Sequence, residues 1–221
     1  MKLIQTAAVL VLAFAAVQAQ ASVITLQTAY STAGAQTSAN AYRDVVNGAL
    51  ALQATTNTAG YGSKTIDNYG WVTNADQFGA RDNFAWKSSI DFGVSADKAG
   101  AWSFQAGVDF DRGGAMFLDG VAVAFNPNNL WWAGDYANTT QTFAATMNLA
   151  PGNHTLTIFG LEGCCDGFQK AQFKIGDGQY TTFASSDGLA AVAGDVPEPA
   201  SIATLGLGLG LLAVSRRRKR A

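Results

Sequence analysis

Three aspartates are gathered in the middle of the chain. In "GVDFDRGGAMFLDG", Asp109 and Asp111 stand two apart and Asp119 follows eight residues later. Residues two apart on an extended strand share a face, so Asp109 and Asp111 would lie side by side. Neighbouring carboxylates repel unless a cation or hydrogen bonds compensate, and calcium favours such oxygen ligands. The competing reading makes Asp109 and Asp119 turn residues whose carboxylates accept from nearby backbone. A second feature is "NPNNLWWAGDY". On a strand, Trp131 and Trp132 would face opposite ways. An exposed tryptophan beside Asn126, Asn128, Asn129 and Asp135 would suit stacking against a sugar ring, though both rings could equally cover the end of a sandwich.

The third feature is "LEGCCDGFQ", which holds the chain's two cysteines, Cys164 and Cys165, side by side. This is not a C-x-x-C spacing, so thioredoxin-like chemistry is not indicated, and adjacent sulfurs chelate zinc poorly. The one histidine, His154, lies ten residues away. No paired acid and base, nucleophile with its base, or metal-ligand cluster emerges, so the chain reads as non-enzymatic.

The two ends read as targeting segments. Lys2 precedes an apolar run from Ala7 to Val17, and Ala19 and Ala21 sit where a signal peptidase would cut. Residues 1–21 therefore read as a secretory signal peptide. At the other end, residues 200–214 carry no charge, and Arg216, Arg217, Arg218, Lys219 and Arg220 follow. A helix from Pro199 to Ser215 would be about 25 Å long, slightly short of a hydrocarbon core of about 30 Å. The expectation is a C-terminal transmembrane helix within 196–221, with the basic cluster cytoplasmic.

Between these ends lie about 175 residues, 22–195, enough for one domain. That stretch has 8 Lys and Arg against 15 Asp and Glu, a net charge of −7 that the whole-chain −2 conceals. Such acidity argues against a nucleic-acid partner. "VITLQTAY" has strand composition, and Tyr42, Val45, Val46 and Ala49 behind Ser38 have the spacing of a capped helix. From Ala101 the strands sharpen. Trp102, Phe104, Ala106, Val108 and Phe110 alternate with polar residues, and "AMFLDGVAVAF" reads as a hairpin about Asp119-Gly120. "TFAATMNL", "TLTIFG" and "QKAQFKI" follow between turns. The fold class is mainly β, a single antiparallel β-sandwich or jelly-roll-like domain.

Three resemblances attach to these stretches. "VPEP", from Val196 through Pro197 and Glu198 to Pro199, then a glycine-rich apolar run and the arginine cluster, resembles the PEP-CTERM sorting signal of Gram-negative bacteria. That implies processing by an exosortase near these prolines. It also implies an inner-membrane precursor and a product at the cell surface or in the extracellular matrix, often with exopolysaccharide. The stretch from Trp102 to Phe159, including "LAPGNHTLTIFG", is similar to PA14-like β-sandwiches, which are often attached to sugar-binding adhesins and glycosidases. Calcium-dependent sugar-binding members use an adjacent Asp-Asp pair where this chain has Asp109-Phe110-Asp111. The site expectations read from the residues are therefore calcium at Asp109, Asp111 and Asp119 and glycan contact at Trp131 and Trp132, and the departure from the adjacent pair counts against the calcium. "GCCDG" resembles the CCXG family of PEP-CTERM proteins.

The functional expectation is an exported, non-catalytic surface or matrix protein. The alternative is a calcium-dependent carbohydrate-binding module of PA14-like type. Outside the cytoplasm thiols tend to oxidise, so Cys164 and Cys165 are expected as a vicinal disulfide at a turn, with interchain bonds and free thiols as the alternatives.

Overall fold

The computed structural model describes residues 21–192. Its strands are β1 (Val23–Tyr30), β2 (Ser63–Ile66), β3 (Phe84–Val94), β4 (Gly100–Gly107), β5 (Asp109–Phe110) and β6 (Gly114–Leu118). They continue with β7 (Val121–Asn126), β8 (Leu130–Trp131), β9 (Thr142–Leu149), β10 (Gly152–Glu162), β11 (Lys170–Ile175) and β12 (Thr181–Thr182). Helix α1 spans Ala39–Thr56 and α2 spans Asn74–Gln77.

Alternation of side chains dictates two facing sheets. One has six strands in the order β2-β1-β3-β10-β6-β7, the other four in the order β12-β11-β4-β9, and β5 and β8 form a separate ribbon. Every pairing is antiparallel. Trp102, Phe104 and Ala106 of β4 are fully buried. Trp102 stacks on Phe173 at 5.5 Å between ring centroids and lies 5.6 Å from Phe92 of the opposite sheet. Burial of rings of this size is the main apolar contribution to the fold. Asp119 and Gly120 both have positive φ, 49° and 78°, as a type I′ hairpin turn requires.

Helix α1 adds a third layer. Ser38 caps it, its Oγ accepting from Ala41 N at 3.2 Å, and Tyr42 and Val46 bury against Ala85, Ala115, Phe117, Phe159 and Leu161 on the outer face of the six-stranded sheet. Strand β10 is thus covered on both faces: Leu156 and Ile158 enter the core between the sheets, Phe159 and Leu161 the layer beneath the helix.

The last described residues run back along the start of β10. Val192 N donates to Asn153 Oδ1 at 2.7 Å, Asn153 Nδ2 donates to Val192 O at 2.9 Å, and Gly93 N donates to Leu189 O at 3.0 Å.

The expectation of a fold ending in a transmembrane helix is corrected. Among the described residues no helix is long and apolar enough to cross a membrane. The longest, α1, carries Arg43, Asp44, Asn47 and Gln53 and buries one stripe against a sheet. The fold is a mainly β, multi-strand sandwich. The expected span in 196–221 lies outside the described residues, as do residues 1–20 of the expected signal peptide. The transmembrane helix, the inner membrane as a partner, and a precursor held there with a cytoplasmic C-terminus are withdrawn.

Candidate functional site

Strand pairing brings most of the candidate residues to one end of the sandwich. In the short ribbon, Asp109 pairs with Trp131 and Phe110 with Leu130. Paired residues point to the same side. Phe110 and Leu130 bury in the core, while Asp109 and Trp131 line an open pocket of about 510 Å³, a size typical of small-ligand sites. Asp111, Asn129, Gln141, Cys164 and Cys165 complete its walls. Trp131 is 70% exposed, and its backbone N–H donates to Gln141 Oε1, which leaves the amide NH2 of Gln141 as a donor.

The cysteine turn follows β10. The two sulfurs are bonded at 2.04 Å, with Cα atoms 3.7 Å apart. Cys165 has φ 76°, a left-handed conformation unusual for a residue with a side chain. Cys164 N donates to Glu162 Oε1 at 2.8 Å, Gly163 N donates to Asp111 Oδ1 at 2.6 Å, and Asp111 N donates to Glu162 Oε2 at 3.0 Å. The turn is therefore laced to the aspartate segment. A bond between neighbours closes too small a ring to staple the chain. Replacing both cysteines by serine should cost no more than the roughly 0.5–3 kcal/mol of ordinary point changes. Intact mass is the check: the wild-type domain should take up alkylating agent only after reduction, and two additions without reductant would contradict the bond.

Four carboxyl groups converge here. Burial, then repulsion from Asp166 and Asp111, pushes Asp109 up to about 7. Glu162 is fully buried, and burial raises it to about 8 despite two backbone N–H donors. Asp166 is raised by burial while accepting from Asn74 N at 3.1 Å and Ala75 N at 2.7 Å. Asp111 lies 3.7 Å from Arg112 Nε. Among the described residues no group donates a hydrogen bond to the Asp109 carboxylate. Gly167 presses against it so closely that a Cβ there would lie 1.7 Å from Asp109 Oδ2.

The other expected site residues lie elsewhere. Asp119 holds the β6–β7 turn to β10: Oδ2 bonds His154 Nδ1 at 2.7 Å and Oδ1 accepts from Thr155 N at 2.9 Å. From Thr155 to Glu162, β10 extends roughly 23 Å, so Asp119 cannot share a ligand with Asp109 and Asp111. Trp132 is 2% exposed and packs over Gly107, where a Cβ would meet its ring at 2.1 Å. Glu162, Asp166 and Gln141 were not among the expected site residues. A lone glutamate at the end of the apolar run "TLTIFGLE" was the signal for Glu162.

Does a hard cation fit this pocket? The pocket's oxygens are carboxylate and amide oxygens, the type calcium prefers, and the Asp109 carboxylate accepts no hydrogen bond among the described residues. Among the described residues no group of three or more His, Cys, Asp or Glu side chains could hold a metal ion. The pocket wall thus carries two carboxylates, Asp109 and Asp111, with the side-chain amide of Asn129 beside them.

The PEP-CTERM protein-sorting motif matches residues 195–219. Among solved structures, the PA14 sugar-binding domain from an RTX adhesin is similar at 12% identity. It covers 79% of this chain and 99% of that one, with a TM-score of 0.50. The domain has a PA14-like β-sandwich fold. Also similar are the PA14 domain of the antifreeze protein MpAFP (12% identity, 79% and 93% coverage, TM-score 0.48) and the A domain of Epithelial Adhesin 9 from Candida glabrata in complex with Galb1-4GlcNAc (10%, 80% and 91%, 0.46). No curated protein matches the chain. Motif and fold together describe a PA14-like β-sandwich domain that carries an export-sorting motif.

Proposed function

We propose that this PA14-like domain is a carbohydrate-binding module whose binding depends on calcium. The supporting observation is the pocket itself, in which Asp109 and Asp111 open onto the same space as the exposed ring of Trp131. Trp131 offers a flat face for the apolar side of a sugar ring. The Cys164–Cys165 bond supplies an apolar wall, and the free amide NH2 of Gln141 supplies a donor. Asp109, Asp111 and Asn129 would hold the calcium, which when bound supplies positive charge for sugar hydroxyl oxygens. Because Asp109 is bonded to no donor, its charge is available to a cation.

In the cell the module is exported and exosortase-processed, residues 22–195 acting as the domain and 196–221 as the sorting segment. Its setting is the cell surface or extracellular matrix, in association with exopolysaccharide. The acidic balance of 22–195 favours neutral glycans over anionic ones.

Calorimetry with calcium, and a glycan array with and without chelator, test this reading. Wild type should bind both, chelator should abolish glycan binding, and Asp109→Ala should lower affinity at least about tenfold. Glycan binding that survives chelator and D109A would overturn the calcium dependence. Binding of neither calcium nor any glycan would leave a surface protein without a ligand in this pocket.

A further inference from the structure

The pocket does not account for a second aromatic feature. Trp71 is 52% exposed and has φ 60°, a conformation that costs a bulky residue free energy and persists where the surroundings enforce it. The enforcement is visible. One face of Trp71 stacks on buried Trp132, with centroids 5.2 Å apart and planes at 25°, and Trp132 in turn rests against Tyr136 at 4.9 Å. Phe168, 46% exposed, meets Trp71 edge-on at 5.4 Å and 84°. Gly134 makes room for the indole, since a Cβ there would lie 2.9 Å from Trp71 Cη2. The flanking backbone is clamped: Val72 N donates to Gln169 O at 2.9 Å and Gln169 N donates to Val72 O at 2.8 Å. A pre-formed, rigid aromatic surface is thus held open to solvent.

We propose that the exposed faces of Trp71 and Phe168 form an outer sugar subsite, so that the site takes a chain of linked sugars and not a single terminal ring. This rests on the carbohydrate reading of the pocket and extends it. The two surfaces are linked along the chain by the cysteine turn. Cys165 lines the pocket, Gly167 abuts Asp109, and Phe168 carries the outer surface, so three residues place the Cα atoms of Cys165 and Phe168 within about 11 Å. On the other side, Trp131 lines the pocket while its neighbour Trp132 supports Trp71 from beneath.

Area decides between a glycan and a protein as the occupant. Two half-exposed rings offer roughly 200 Å², well below the roughly 800 Å² per partner of a stable protein interface. A sugar ring needs only one flat aromatic face. A glycan already anchored in the pocket brings its next units to this surface at high effective concentration.

The test compares wild type with Trp71→Gly, Phe168→Ala and Asp109→Ala in the full chain. Glycine adopts the left-handed backbone of position 71 without steric cost, and F168A tests the same surface from a different strand connection. The probes are malto-, cello-, galacto- and manno-oligosaccharides of increasing length with their monosaccharides, titrated with calcium present. Wild-type affinity should rise with chain length. W71G and F168A should lose that rise, about tenfold on the longest probes, while binding monosaccharides as wild type does. D109A should weaken all lengths. If W71G and F168A match wild type at every length while D109A is dead, the outer subsite is overturned and the pocket reading stands. If D109A has no effect while W71G abolishes binding, the aromatic surface is the site and the pocket reading fails. A wild type that binds no probe overturns both, and a dimer that W71G dissociates, with glycan binding unchanged, assigns the surface to a second copy.

Discussion

Gly160→Ala should be among the most damaging single substitutions in this domain, lowering stability by about 3 kcal/mol or more and Tm by about 6–12 °C. Gly160 sits near the C-terminal end of β10, paired with Trp86 on one side and Gly114 on the other. A Cβ there would lie 2.2 Å from Cδ2 and Cε2 of Phe110. That ring cannot withdraw, because Phe110 is fully buried with Trp86 beside it at 6.4 Å. Phe110 also separates Asp109 from Asp111, so forcing it outward should disturb the pocket together with the core. Gly48→Ala is the matched control. Gly48 is an exposed position of α1 with nothing within 4 Å of a new Cβ, and alanine there should stabilise by about 0.5–1 kcal/mol. Urea unfolding of the two variants should move in opposite directions. A G160A midpoint equal to wild type would contradict the packing described around Phe110.

The second large effect is on pH. Asp109 stands at about 7 against an unperturbed 3.8, and Glu162 at about 8 against 4.5. Over that interval the folded state holds protons that the unfolded chain has released. Unfolding then releases protons, and stability falls as pH rises. In chelator the domain should be most stable near pH 5 and lose more than about 1 kcal/mol by pH 8. Burial lowers His154, but its bonds to Asp119 and to Ala150 O together raise it, so its contribution falls in the same direction as pH rises, and Asp109→Asn is needed to isolate the pocket's share. That variant should reduce the dependence and leave the part that Glu162 and His154 carry. Calcium at about a hundredfold its Kd should restore about 2.7 kcal/mol at pH 8 and much less at pH 5, where Asp109 holds a proton. Scanning calorimetry at both pH values, with and without calcium, decides it. A Tm in chelator that climbs between pH 5 and 8 would show that the buried carboxyls are not held protonated.

The strands that alternate cleanly were legible in the sequence. Trp102, Phe104 and Ala106 all bury on one side because β4 packs one face on the core and shows the other to water. The capped helix behind Ser38 and the Asp119-Gly120 hairpin were legible for equally local reasons. Strand β3 was not. It is buried almost continuously from Phe84 to Val94 because β1 and β10 flank it and both its faces are covered, so no alternation marks it. At the site, Asp109, Asp111, Trp131 and the cysteine pair were visible as residue types. Their convergence depends on the Asp109–Trp131 pairing and on the return of β10 beside β6, which are long-range events with no local signature. Asp119 was grouped with the other aspartates by closeness in sequence, yet the hairpin carries it to the opposite end of β10. Trp71 left no signal, since its exposure follows from a positive φ that local composition does not announce.

The pairing of Asn153 with Val192 has a mechanical consequence. The described chain leaves at the start of β10, three residues before the sorting motif begins, and the pocket lies at that strand's far end, roughly 30 Å away. Tension between a captured glycan and whatever holds the tail would pull lengthwise along β10. That strand is paired to β3 from Gly152 to Glu162 and to β6 from Leu156 to Gly160. A lengthwise pull loads these ladders in shear, so many hydrogen bonds share the force before any one breaks, whereas a pull from the edge would open them one at a time. The six-stranded sheet thereby places its longest ladder along the line of load.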